Sequence, residues 1–130
     1  AYRSVKGLHA EWFLSAQLKL SHGNSETSQQ QIKALLEKRN TSQPTNKPTC
    51  GSVFKNPPGD YAARLIERCG LKGYAIGGAV VSEKHANFIE NQGHATADDI
   101  ETLIEHIQRQ VKAQFGIELQ PEVCRVGNKA

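Results

Sequence analysis

Thr96-Ala97-Asp98-Asp99-Ile100-Glu101-Thr102-Leu103-Ile104-Glu105-His106-Ile107-Gln108-Arg109-Gln110-Val111-Lys112-Ala113-Gln114-Phe115-Gly116 is the stretch from which the fold is read outward. Thr96 starts the clearest helix in the chain. Asp98, Asp99 and Glu101 put negative charge in its first turn, where the helix dipole favours it. Ile100, Leu103, Ile104, Ile107, Val111 and Phe115 recur at helical spacing as one apolar stripe, and Gly116 stops the run. A helix with one oily face needs a cover, and the preceding residues supply one. Ile76 to Val81, with Gly77-Gly78 inside, reads as a buried strand whose backbone something approaches closely. Phe88-Ile89 reads as a short second strand ended by Asn91-Gln92-Gly93. Upstream, Asp60 is placed to cap a helix through Ala62, Leu65, Ile66 and Cys69, closed by Gly70. Downstream, Ile117 to Val126 reads as a strand that Pro121 confines to an edge or bends. The expected class is α+β.

Composition agrees with a folded chain. The 130 residues suffice for one domain, or one domain plus a piece of another. Hydrophobic residues make up 38%, which excludes collagen-like and fully disordered classes. No apolar run nears the roughly 20 residues that span a bilayer, so no membrane partner is expected. The opening Ala1-Tyr2-Arg3-Ser4-Val5-Lys6 has no apolar signal-peptide core. Cys50, Cys69 and Cys124 form neither a disulfide framework nor a metal spacing, which suits a reducing cytoplasm. Net charge is 16 − 13 = +3, short of the clustered positive field of a nucleic-acid binder, and the few aromatics do not interleave with basic runs. No nucleic-acid partner is expected; a small anion suits the slight positive excess.

Ahead of this body, Ala10 to Leu20 alternates: Ala10, Trp12, Leu14, Ala16, Leu18 and Leu20 on one face, Glu11, Ser15, Gln17 and Lys19 on the other. Period two predicts a half-buried strand. A turn at Ser21-His22-Gly23-Asn24 leads straight into a helix near 26–39, with Ser28 and Gln31 as its capping box and Ile32, Leu35 and Leu36 at helical spacing. The strand has no partner near it in sequence, so residues 1–20 read as the tail of a larger domain. Residues 40–50 are polar, hold two prolines and read as an aperiodic connector.

The densest polar cluster is Gly51-Ser52-Val53-Phe54-Lys55-Asn56-Pro57-Pro58. It reads as a turn presenting a hydroxyl and amides, with Lys55 and Asn56 toward an anion, or as an ordinary Asn-Pro turn with a solvated lysine. No G-x-S-x-G surrounds Ser52. His85 stands where strand gives way to loop, and a hydrogen-bonded histidine is the plainer reading. The five histidines make no ligand pair with a carboxylate, so no metal site is expected. Glu122, after Pro121, faces either a pocket or solvent. Gly73, Gly77 and Gly78 form neither a dinucleotide fingerprint nor a P-loop.

Taken together these segments resemble a known family. Gly51-Ser52-Val53-Phe54-Lys55-Asn56-Pro57, Leu71-Lys72-Gly73-Tyr74-Ala75-Ile76-Gly77-Gly78-Ala79 and Val81-Ser82-Glu83-Lys84-His85-Ala86-Asn87-Phe88-Ile89 are similar to UDP-N-acetylenolpyruvoylglucosamine reductase. Pro121-Glu122-Val123 and Tyr2-Arg3 fall where the family has its end motif and its Tyr-Arg motif. The resemblance implies residues 1–45 as the C-terminal remnant of an FAD-binding domain with its connector, and 46–130 as the substrate-binding C-terminal domain. The short connector resembles the branch without an extra tyrosine-bearing loop. By the same resemblance the reaction is a cytoplasmic one of peptidoglycan synthesis. NADPH reduces FAD, and UDP-N-acetylglucosamine enolpyruvate becomes UDP-N-acetylmuramate. Ser52 would be the proton donor, Arg3 and Glu122 would stabilise the intermediate, and Asn56 and His85 would contact substrate. The chain departs from the pattern in three ways. Most of the flavin-binding portion would precede Tyr2, the family's Tyr-Arg-x-Ser reads Tyr2-Arg3-Ser4-Val5, and Cys50 stands where a smaller residue is usual. The other function compatible with these residues is a non-catalytic module that binds a UDP-sugar or anion without the flavin half. On either reading the isolated chain is expected to be inactive and without FAD.

Overall fold

The structure, a computed structural model, describes residue 7, residue 12 and residues 14–127. In chain order the elements are α1 (Ser25–Ser42), α2 (Ala62–Arg68), β1 (Ala75–Ile76), β2 (Ala79–Val81), β3 (Ile89–Asn91) and α3 (Ala97–Phe115). The strands form one antiparallel sheet in the order β1-β2-β3, with Ile76 opposite Ala79 and Val81 opposite Ile89. The α+β expectation holds.

Local chemistry builds α3 as its sequence demands. Thr96 Oγ1 accepts from the Asp99 amide at 3.1 Å, and Asp99 Oδ2 accepts from the Thr96 amide at 2.9 Å, a reciprocal capping box. Gly116 ends the helix in the left-handed conformation, φ 68°. Leu103, Ile104, Ile107 and Val111 face inward against β1, β2 and α2 and are buried. They join Val53, Phe54, Leu65, Ile66, Ala79, Val81, Ile89 and Leu119 in one core. The Arg68 guanidinium lies 4.8 Å from the centroid of the Phe115 ring, closing the α2–α3 seam. α2 ends in a Schellman motif: the Leu71 amide donates to Ile66 O and the Gly70 amide to Glu67 O.

Five details differ from the sequence expectations. Ile76 to Val81 is a hairpin, because Gly77-Gly78 is a two-residue turn between β1 and β2. The close approach is real: a Cβ on Gly78 would lie 2.7 Å from Ala95 Cα. α1 is capped by Asn24, whose Oδ1 accepts from the Thr27 amide at 3.0 Å, and not by a Ser28–Gln31 box. α2 gets its first-turn acceptor from Asn56, since Asp60 is taken by the Tyr61 amide and by Arg64. Residues 117–126 form no continuous strand; Pro121 makes an isolated bridge to Phe54, as a residue without an N–H allows. Finally, residue 12 and residues 14–20 are not in a strand, and Trp12, Leu14, Leu18 and Leu20 are exposed. A strand needs a ladder partner, and among the described residues none lies beside this segment. Residues 10, 11 and 13 of that expected strand lie outside the described residues.

The end of the connector is ordered by the sheet. Thr49 bridges Glu90, and the Asn91 amide donates to Pro48 O at 2.9 Å, so residues 48–49 lie along β3. That brings the next residues, Gly51 and Ser52, to the rim of the core. No helix among the described residues is long and apolar enough to cross a membrane.

Candidate substrate site around Ser52

Ser52 follows a backbone turn at Gly51, φ 81°, a conformation open to glycine and strained for other residues. Beyond it the chain dives into the core: Val53 and Phe54 are each 1% exposed. Two partners hold them. On one side the Glu122 amide donates to Val53 O at 2.8 Å and the Lys55 amide to Gln120 O at 2.9 Å. On the other, Asn87 takes both polar groups of Phe54. Its Oδ1 accepts from the Phe54 amide at 3.0 Å and its Nδ2 donates to Phe54 O at 2.8 Å. Ser52 and Glu122 therefore lie one backbone pairing apart.

Ser52 lines a cavity of about 610 Å³ together with Arg39, Lys47, Thr45, Thr49 and Phe88. Among the described residues the Ser52 hydroxyl has no hydrogen-bond partner, so its proton is available to a ligand. Arg39, in the last turn of α1, and Lys47 make the rim cationic. Neither cation was anticipated from sequence; both stand in or beside an aperiodic stretch, where spacing carries no signal. Lys84 ties this wall to the loop before β3 by donating to Asn40 O at 2.5 Å.

The other expected site residues are dispersed. Asn56 spends its Oδ1 on the Ala62 amide at 3.1 Å, and with Lys55 it does not line the Ser52 cavity. His85 is half-buried, its ring edge-on to Phe88 with centroids 4.8 Å apart, so it backs a residue of the cavity wall. Its Nδ1 accepts from the Asn87 amide at 3.3 Å, which requires that nitrogen unprotonated. Burial, with Lys72 adding repulsion, pushes His85 below the ordinary imidazole range. Arg3 lies outside the described residues. No cluster of His, Cys, Asp and Glu among the described residues would hold a metal. Cys50, beside Gly51, has its thiol pushed up by burial, so it favours the neutral form over the reactive thiolate.

Three antiparallel strands backed by one long helix form a small α+β domain, with a serine and two cations at one polar cavity. The chain belongs to the UDP-N-acetylenolpyruvoylglucosamine reductase C-terminal domain family, whose model matches residues 43–126. It is 64% identical over 129 residues to the UDP-N-acetylenolpyruvoylglucosamine reductase of Legionella pneumophila (strain Corby), covering 98% of this chain and 42% of that relative. It is 56% identical over 126 residues to the reductase of the same name from Methylococcus capsulatus, covering 97% and 41%. The crystal structure of UDP-N-acetylenolpyruvylglucosamine reductase from Thermus caldophilus superposes with a TM-score of 0.67 at 38% identity, over 82% of this chain and 38% of that one. The chain thus spans about two fifths of the length of the relatives it matches.

Proposed function

We propose that residues 46–130 bind substrate and donate the proton in a reductase of peptidoglycan synthesis. That enzyme would convert UDP-N-acetylglucosamine enolpyruvate to UDP-N-acetylmuramate, in the cytoplasm. The observation that carries this reading is the Ser52 hydroxyl, without a protein partner among the described residues, at a cavity rimmed by Arg39 and Lys47. Guanidinium and ammonium groups suit the phosphates of a nucleotide sugar. Gly73, Gly77 and Gly78 form no glycine-rich loop to cradle the diphosphate of FAD. By the resemblance, the residues that bind FAD, and the NADPH that reduces it, are assigned elsewhere in the complete protein, for which residues 1–45 would form the adjoining part.

The reaction adds a hydride and a proton across the enolpyruvyl double bond, leaving a lactyl ether. Hydride arrives at one vinyl carbon, and charge builds on the neighbouring carbon and its carboxylate oxygens. Ser52 would give its proton to that neighbouring carbon and recover one from water. A hydroxyl is a weak acid, so it donates only because the acceptor is strongly basic and held in line. Glu122, one backbone pairing away, and Arg3 would stabilise the enol intermediate, Arg3 by a two-pronged contact to the carboxylate. Asn56 and His85 would act at the margin: Asn56 by shaping the turn after Ser52, His85 by backing Phe88.

The test is Ser52→Ala in the complete protein. Reduction of the flavin by NADPH is expected at the unsubstituted rate, and reoxidation by substrate about 10²–10⁴-fold slower, the usual worth of a general acid. Ser52→Cys should recover part of the loss, since a thiol still donates. Near-native reoxidation in the alanine variant would remove Ser52 from the chemistry.

A further inference from the structure

The segment that carries Ser52 is held at an isolated bridge, Phe54 to Pro121, with an unusual second neighbour. One edge, at Val53 and Lys55, pairs with the backbone of residues 120–122. The other edge pairs with a side chain. Asn87 presents to Phe54 one acceptor and one donor, the same pair that a peptide unit would present. Its own carbonyl oxygen accepts from the Val53 amide at 2.9 Å, so one residue satisfies three backbone groups in succession. Asn87 is 4% exposed and Phe54 1%, so water cannot replace these bonds without opening the core.

We infer that Asn87 is the positioning residue that fixes the register of Ser52 against Glu122. This rests on the proton-donor reading of Ser52 given above. In an extended chain the N–H and C=O of one residue face one side and those of the next face the other, so a shift of residues 53–54 by one position turns both groups away from the Asn87 amide and leaves it unpaired in the core. With Asn87 in place, Val53 must face the Glu122 amide, and Ser52 is delivered to the cavity at a set distance from the Glu122 backbone. Asn87 itself does not line that cavity. It acts through that segment.

Asn87→Asp is nearly isosteric, keeps the acceptor for the Phe54 amide, and replaces the donor by an oxygen that repels Phe54 O. In the complete protein this variant is expected to slow substrate-dependent flavin reoxidation about 10–100-fold. Flavin reduction by NADPH and the substrate KM should stay within about threefold. A merely structural loss would instead slow both half-reactions together and raise KM. In the present chain the same variant should speed hydrogen exchange at the Val53 and Phe54 amides while those of α3 stay protected. Unchanged reoxidation, or unchanged exchange at Phe54, overturns the inference. If the variant fails to fold, the unsubstituted chain still decides. A through-hydrogen-bond coupling from the Phe54 amide nitrogen to the Asn87 side-chain carbonyl is expected by NMR, and its absence overturns the inference. Should the unsubstituted complete protein show no substrate-dependent reoxidation, the proton-donor reading fails by itself, while exchange and coupling at Phe54 still judge the clamp.

Discussion

Helices α1 and α3 are nearly equal in length, 18 and 19 residues, and both carry side-chain caps, yet they sit in opposite surroundings. α3 buries Leu103, Ile104, Ile107 and Val111 in the core; α1 buries no residue. Its Ile32 and Leu35 are 57% and 66% exposed, and Trp12 ahead of it is 90% exposed. The difference teaches that caps and propensity draw a helix, whereas a packed stripe makes it part of a cooperative unit. A lone helix of this length is marginal in water. The attachment of α1 shows at its C-terminal end, through the Lys84 bond to Asn40 O and the buried Pro44 just beyond.

The largest expected effect breaks the comparison if it fails. Leu103→Ala should lower the unfolding free energy of the body by about 2–5 kcal/mol in urea titration. Leu35→Ala should change it by no more than about 0.5 kcal/mol. Similar losses at the two sites would mean that α1 is packed like α3. The caps sharpen the contrast at a smaller scale. Thr96→Ala should cost about 1 kcal/mol of global stability, because it removes the oxygen that accepts from the Asp99 amide while the Thr96 backbone amide keeps its bond to the Asp99 carboxylate. Asn24→Ala should reduce the helical circular dichroism signal contributed by residues 25–42 and leave the urea midpoint in place.

The smallest effect is a pH dependence lodged in the body. Burial holds both His85 and His106 below the usual imidazole range, and His106 stacks on Tyr74 with centroids 4.4 Å apart. Their neutral forms are favoured in the fold, so the unfolded chain takes up protons first as pH falls. Stability is therefore full above about pH 6.5, the ordinary imidazole value, and declines below it toward the folded-state pKa of each ring. Urea midpoints at pH 7.5 and 5.5 should differ, and His85→Gln should shrink the difference. A flat profile would contradict the burial of both rings.

Much of the body was legible because its signals are local. Thr96 with Asp99 and Gly116 bracket α3, and Gly70 closes α2, all within a few residues of the turns they control. The glycine turn ahead of Ser52 was legible in the run Gly51 to Pro57, and the walls of the cavity beside it much less so. Asn87 meets Phe54 across 33 residues, and no periodicity announces a side chain replacing a strand. Arg39 and Lys47 reach the cavity because the chain folds back after α1, which composition alone does not indicate. Asn56 was read either as facing an anion or as part of an ordinary Asn-Pro turn; its Oδ1 accepts from the Ala62 amide, a local bond across six residues that the sequence leaves open. Gly77-Gly78 carried two messages at once, a turn and a close approach, and the apolar residues on either side were read as a single buried strand.

The crowding at Gly78 has a consequence for how this sequence can drift. Neighbouring atoms there belong to the backbone of His94 and Ala95, not to a side chain that another residue type would move aside. Asp99 meanwhile serves the Thr96 amide and reaches the Gly78 amide at 3.4 Å. Positions 78, 95 and 99 therefore form one unit of inheritance. A side chain at 78 requires the chain at 95 to retreat, and that retreat carries Asp99, on the same helix, away from the Gly78 amide. Single substitutions along that path pass through damaged intermediates, so the helix–hairpin junction is the part of the domain where evolutionary change should be slowest, whatever ligand the cavity comes to prefer.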